Sequence, residues 1–267
     1  MGTIIVQEET TKNPITLIGK EAGICWGANV EDPAKNYRRG RNCIKDNHGR
    51  TLEFPQVFLT IDGYSARVMR ELYTHIGGSP TRLQASTRYI DYTDYYNNKE
   101  YVTPNSIQKN PDAEAVYNSA MLNIANSMTV LEKNYEIPRE DIAMLLPLGM
   151  HSKMVLRTNL RNLIDMSHQR LCSRANWEFR NLFRDIMEAL NQYSEEWKEL
   201  VSNVLVPKCK VLGYCPESHS CGAMEKTRLD QMIKDLESAG YTITPPDKSG
   251  VTVTREYTCE FPSKTTK

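Results

Sequence analysis

The chain of 267 residues carries 33 Lys+Arg against 33 Asp+Glu, a formal charge of zero, so it lacks the surplus cation that a sequence-independent nucleic-acid binder turns toward phosphates. With 40% hydrophobic and 25% charged residues it reads as globular, and no apolar run approaches the roughly 20 residues of a membrane-spanning helix. Seven cysteines, an odd number, argue against a fully paired extracellular framework, and the start MGTIIVQEETTKN has no basic lead into a long apolar centre, so the cytoplasm is the expected location.

In chain order, Ile15–Ile18 and Val57–Ile61 are apolar runs bounded by turn residues or charge and are expected to be strands. Between them Asp32–Asp46 has the character of a basic, exposed helix. Ser65 is placed to cap a helix through His75, with Ala66, Met69 and Tyr73 on one side, and Gly77-Gly78-Ser79-Pro80 breaks it. From Asp112 to Glu136, Ala113, Val116, Tyr117, Ala120, Ile124, Leu131 and Tyr135 recur at helical spacing, with Asp112 as the cap. Pro138 opens a short helix that ends near Pro147, Gly149–Leu156 reads as a strand, and Asn159 to about Gln192 reads as one long helix or two in succession. This mixture predicts a helix-rich α/β (α+β) domain over residues 1–206.

Residues 207–267 form a Cys-containing extension of different character. Cys209, Cys215 and Cys221 with His219 suit zinc, a reversible disulfide or three ordinary thiols; they lack the tight two-residue hook of a structural zinc site, so no metal enters the predicted site. Residues 223–239 look helical with Gly240 as their stop, and Val251–Thr258 looks like a strand.

Two segments concentrate groups suited to a phosphorylated, aromatic ligand. The first, residues 74–89, holds Gly77, Gly78, Ser79, Thr81, Arg82, Ser86, Thr87, Arg88 and Tyr89. Glycines let the backbone approach a ligand, hydroxyls and N–H groups bind phosphate oxygens, and arginine adds charge and a planar fork. The second, residues 157–184, spaces Arg157 and Arg161, Arg170 and Arg174, and Arg180 and Arg184 four apart, which on a helix puts each pair on one face. Only Asp165, Glu178 and Asp185 lie nearby, so the segment is more positive than a solvated face needs. Tyr92, Tyr95 and Tyr96 with Tyr89 read as a packing cluster, Trp177 as a core residue beneath the site, and His151 and His168 as structural.

These segments resemble the landmarks of the flavin-dependent thymidylate synthase family. Its Arg-His-Arg…Ser-x-Arg-Tyr signature is matched by Thr74-His75-Ile76, then Ser86-Thr87-Arg88-Tyr89. Its Asn-x-Arg helix and His-Ala-Gln-Trp-Glu stretch are matched by Asn159-Leu160-Arg161, then Arg170 and Arg174-Ala175-Asn176-Trp177-Glu178. Cys25-Trp26-Gly27-Ala28 resembles an early Cys-aromatic strand, His48 to Glu53 a Gly-His-x-Ser-Pro-Leu-Glu-His stretch, and Leu146-Pro147-Leu148 a Leu-Pro-Leu element, all in order from about residue 20 to about residue 190.

The resemblance implies a helix-rich domain around a central, mostly antiparallel sheet. It implies an FAD-dependent methyltransferase that makes dTMP from dUMP with methylenetetrahydrofolate and NADPH, as a homotetramer with sites between subunits. Carried over by position, Ser86, Arg88 and Arg82 bind the nucleotide; Arg170 binds it and is the catalytic cation; His75, Asn159, Arg161, Asp165 and Arg174 meet FAD. The departures are Thr74 and Ile76 in place of both signature arginines, a loop longer by two residues, Phe54 for a His, Ala143 for a phosphate arginine and Asp165 for an Asn. Arg82, Arg70 and Lys153 are candidate replacements. Two alternatives remain beside this reading: a related enzyme that hydroxymethylates a pyrimidine nucleotide, and a non-catalytic nucleotide-binding homologue.

Overall fold

A computed structural model describes residues 2–224, 236–247 and 250–254. Two compact units divide the chain, residues 1–208 and 209–267. The first runs β1 (Thr3–Val6), α1 (Pro14–Cys25), α2 (Pro33–Lys45), β2 (Gln56–Ser65), α3 (Ala66–Leu72), β3 (Thr81–Gln84), α4 (Asn105–Gln108), α5 (Pro111–Tyr135), α6 (Arg139–Ile142), β4 (His151–Asn159), α7 (Leu160–Arg170), α8 (Trp177–Tyr193) and α9 (Glu195–Asn203). A short helix, α10 (Lys208–Leu212), follows, and the second unit contains an antiparallel hairpin of β5 (Thr242–Asp247) and β6 (Gly250–Thr254). Most of the helical reading of 223–239, and residues 255–258 of the strand reading, lie outside the described residues.

The sheet order is β1-β2-β4-β3 and every pairing is antiparallel, which gives the helix-rich α+β architecture around an antiparallel sheet. Side chains alternate across it. Val57, Leu59 and Ile61 of β2 and Met154 and Leu156 of β4 point to one face and are buried, whereas Ile5, Leu83 and Val155 are exposed. The buried face meets α8, whose Phe179, Leu182, Phe183, Ile186 and Leu190 follow helical spacing and are fully buried. At roughly 1.5–3 kcal/mol for each such side chain, this face outweighs any exposed ion pair, worth about 0–1 kcal/mol. A second cluster of Tyr95, Met121, Ala125, Met128, Ile142 and Met150 joins α5 to the segments around it.

Several expectations change. Ile15–Ile18 is helical, not a strand: Pro14 presets the first turn, Ile15, Ile18 and Ala22 are buried along one stripe, and the Glu196 carboxylate accepts the Ile15 and Thr16 N–H groups. A cap supplied from 181 residues away leaves no local trace. Cys25 closes that helix and Trp26 follows it, so the Cys-aromatic element is no strand. Strands β1 and β3 are short edges with mixed patterning that sequence reading passed over. Asn110, not Asp112, caps α5 with its side chain. The stretch from Asn159 resolves into two helices, with Asn159 itself the cap of the first.

Candidate active site

The site is built on the end of α3. The Glu178 carboxylate accepts the Ser65 N–H at 2.7 Å and the Ser65 hydroxyl at 2.6 Å, and Ser65 Oγ in turn accepts the Val68 N–H. This buried knot fixes where α3 starts and so where Glu71, Thr74 and His75 emerge at its far end. Arg170, the last residue of α7, reaches across to all three. Its Nε donates to His75 Nε2 at 2.9 Å, Nη1 to Glu71 Oε2 at 3.0 Å and Nη2 to Thr74 Oγ1 at 3.3 Å. Its guanidinium lies 4.4 Å from the centre of the Phe179 ring. The other Glu71 oxygen accepts from Asn176 Nδ2 at 2.7 Å.

His75 is only 6% exposed. Burial first, then the cations Arg170 and Arg82, pull its pKa down from 6.5 to about 4. With Nε2 accepting from Arg170, the network assigns the ring proton to Nδ1, so His75 is a neutral imidazole at neutral pH.

Two arginines on neighbouring strands hold the loop that follows. Arg82 of β3 donates to the His75 carbonyl, and Arg157 of β4 donates to the Ser79 carbonyl at 3.2 Å. Each keeps a buried Nε–H with no partner among the described residues. Gly78 (φ +69°) and Ser79 (φ +50°) carry the loop through the left-handed region. A Cβ on Gly78 would sit 2.1 Å from Asn159 Nδ2, so only glycine fits against that capping side chain. Beyond the loop opens a cleft of about 380 Å³, lined by Thr74, His75, Ile76, Gly77, Asn162, Asp165, His168, Gln169 and Lys208.

The structure brings some of the expected residues together and gives others different partners. His75, Arg82 and Arg170 form one contact group; Asn159 lies behind Gly78, and Asp165 lines the cleft. Arg161 is exposed and pairs with Glu53 at 2.6 Å. Arg174 stands on the exposed turn between α7 and α8. Ser86 Oγ accepts the Arg88 N–H, and Arg88 pairs with Glu140 at 2.8 Å. That pair adjoins a small hollow lined by Thr87, Asp91, Arg139 and Ala143, where Arg139 pairs with Asp91 and Glu132. Arg88 and Arg170 thus engage different partners, Glu140 for the one and Glu71, His75 and Thr74 for the other.

The other sequence readings are revised residue by residue. Of the paired arginines of 157–184, only Arg180 and Arg184 share a helix, α8, because Arg157 lies on β4 and Arg170 ends α7. Trp177 is half-buried; Phe179, two residues on, is the core ring against Arg170 and His75. Tyr89 stays exposed, and Tyr101 takes its place in the tyrosine cluster, stacked on Tyr96 at 5.8 Å. Lys153 pairs with Asp62 on the open sheet face and Arg70 points to solvent. His168 lines the cleft. Sequence reading missed Glu71, Asn162, Phe179 and Lys208. None of the four carries a local signal that points to the cleft. Among the described residues no three His, Cys, Asp or Glu side chains group as a metal site.

Comparison with known proteins finds relatives of this chain. The family described as "Thymidylate synthase complementing protein" matches residues 8–194. A flavin-dependent thymidylate synthase of Pyrococcus abyssi is 31% identical over 194 residues, covering 71% of this chain and 77% of that protein. One from Clostridium tetani is 26% identical over 248 residues, covering 83% of this chain and 94% of its own length. Among solved structures, thymidylate synthase X of Helicobacter pylori, crystallised with FAD and dUMP, superposes with a TM-score of 0.59 at 18% identity, over 76% of this chain and 100% of that one. The structural likeness shows a shared fold.

Proposed function

The chain belongs to the flavin-dependent thymidylate synthase family, and on that footing we propose that it converts dUMP to dTMP as an FAD-dependent methyltransferase, with methylenetetrahydrofolate as one-carbon donor and NADPH as reductant. The observation that carries the reading is the Arg170–His75–Glu71 group at the mouth of the glycine-lined cleft. It holds a cation, a neutral imidazole and an anchoring carboxylate in fixed relation to one another.

The residues suit a flavin nucleotide. The cleft offers Gly77, whose missing Cβ leaves room beside Asn162 and Asp165, together with amide, carboxylate and ammonium groups. His75, Asn162 and Asp165 would hold the cofactor there, with Asn159 and Gly78 shaping the wall. Bound FAD would supply the hydride chemistry that no side chain has.

The protein's own task is to position and to stabilise charge. Three of the five N–H bonds of Arg170 are used on protein acceptors, which leaves two for a nucleotide. A permanently charged, half-buried guanidinium of this kind stabilises negative charge on a uracil ring as its C5 becomes nucleophilic. Ser86 and Arg88 would bind the nucleotide from another chain. Within one chain they engage other partners than Arg170 does, and the reading takes the protein as a homo-oligomer, a tetramer by family likeness, with sites shared between subunits. We assign the chemistry to residues 1–206, with Lys208 just beyond them lining the same cleft, and place the protein in the cytoplasm, where its six described cysteines would stay free thiols.

Incubation of purified protein with dUMP, methylenetetrahydrofolate, NADPH and FAD, followed by chromatography of the nucleotides, tests this. dTMP dependent on all four additions is expected. A 5-hydroxymethyl product would redirect the reading to the related transfer, and nucleotide binding without turnover would leave a non-catalytic homologue.

A further inference from the structure

The family match ends at residue 194, yet one residue beyond it lines the cleft. Its position is fixed by packing. Leu205 is buried in the main core, and Val206 offers its carbonyl to Ser167 Oγ of α7 at 3.2 Å. The chain therefore leaves the core beside α7 and delivers Lys208 to the wall that carries Asp165 and His168.

The arginines around the cleft each already have a protein partner. Arg170 is held by Glu71, His75 and Thr74, Arg161 by Glu53, Arg82 by the His75 carbonyl and Arg157 by the Ser79 carbonyl. Among the described residues Lys208 has no hydrogen-bond or ion-pair partner, and it is the one Lys or Arg side chain in the cleft lining. Its charge nevertheless reaches the site, because it opposes protonation of His168 while Asp165 favours it. Thr74 and Ile76, which also line the cleft, contribute no cation. A lysine ammonium is a compact charge on a flexible stem, suited to a phosphate that arrives with its ligand.

The geometry points to Lys208 as a ligand-binding residue that contacts the phosphate of the flavin nucleotide in this cleft. The inference rests on the flavin reading proposed above.

Flavin-stripped full-length protein titrated with FAD, followed by the change in flavin fluorescence, tests it without recourse to turnover. Lys208→Gln is expected to raise the FAD dissociation constant about fivefold to tenfold, the effect of one exposed charge–phosphate contact. Lys208→Arg should restore most of the affinity, and Lys210→Gln, two residues away, should match the unaltered protein. Riboflavin, which has no phosphate, should bind the unaltered and Lys208→Gln proteins equally. Unchanged FAD affinity in Lys208→Gln, or an equal loss for riboflavin, would overturn the role of Lys208 while the flavin reading stands. Failure of the unaltered protein to bind FAD would overturn that reading, and this inference with it.

Discussion

Arg170 donates its Nε–H to Nε2 of His75 at 2.9 Å, so a permanent cation and a neutral imidazole share one hydrogen bond between the end of α7 and the loop after α3. The bond exists only while His75 is unprotonated. Its protonation would put two like charges in contact in a buried setting.

A pH dependence of stability follows. The folded-state pKa of His75 lies near 4, below the 6.5 of the free side chain, so the unfolded chain binds the extra proton first as pH falls. The contribution is full above about pH 6.5 and is lost as pH drops through 4. Urea unfolding at steps from pH 7.5 downward should show this decline, and His75→Gln should show a shallower one. Parallel pH curves for the two proteins would contradict the assignment.

Glu71 anchors both Arg170 and Asn176. Glu71→Ala should free the guanidinium to swing and cost roughly 1–3 kcal/mol of stability. Turnover should fall more steeply than the thermal midpoint, because the cation loses its orientation. Steady-state kinetics beside a melting curve separates the two effects; normal turnover would remove Glu71 from the site.

Gly78→Ala adds a methyl where φ is +69° and Asn159 Nδ2 would stand 2.1 Å away. The backbone conformation alone costs about 1–2 kcal/mol for a residue with a Cβ. The variant should fold, with a lower midpoint and weakened FAD binding by flavin titration. Undiminished flavin affinity would show that the loop does not shape the cofactor wall.

Arg88 pairs with Glu140 and Arg170 with Glu71, and substituting each separately gives a test of shared sites. Arg88→Ala and Arg170→Ala should each be inactive alone. After mild dissociation and reassembly together, hybrids should regain turnover, since some sites then combine an intact Arg88 from one chain with an intact Arg170 from the other. No recovery in verified hybrids would place each site within a single chain.

Much of the architecture is legible in the sequence where burial is periodic. β2 and β4 alternate and α5 and α8 repeat at helical spacing, so pattern alone locates them. The failures have long-range causes. Glu196 caps α1 from the far end of the unit, and β3 is an edge strand held by pairing with β4 rather than by its own apolar content. At the site, His75 and Arg170 were visible through motif resemblance. Their partner Glu71, the Phe179 ring and Lys208 were not, because nothing in a helical carboxylate, a core aromatic or a surface lysine announces which cleft it will meet.

The central claim is that one assembly holds a flavin and a uracil nucleotide together. Visible difference spectroscopy of the FAD-loaded protein during dUMP titration tests it most directly. A saturable shift of the flavin bands with dUMP, abolished in Arg170→Ala while that variant keeps its fold, is the predicted result. A protein that takes up no flavin, or a flavin spectrum unmoved by dUMP at any concentration, would contradict it.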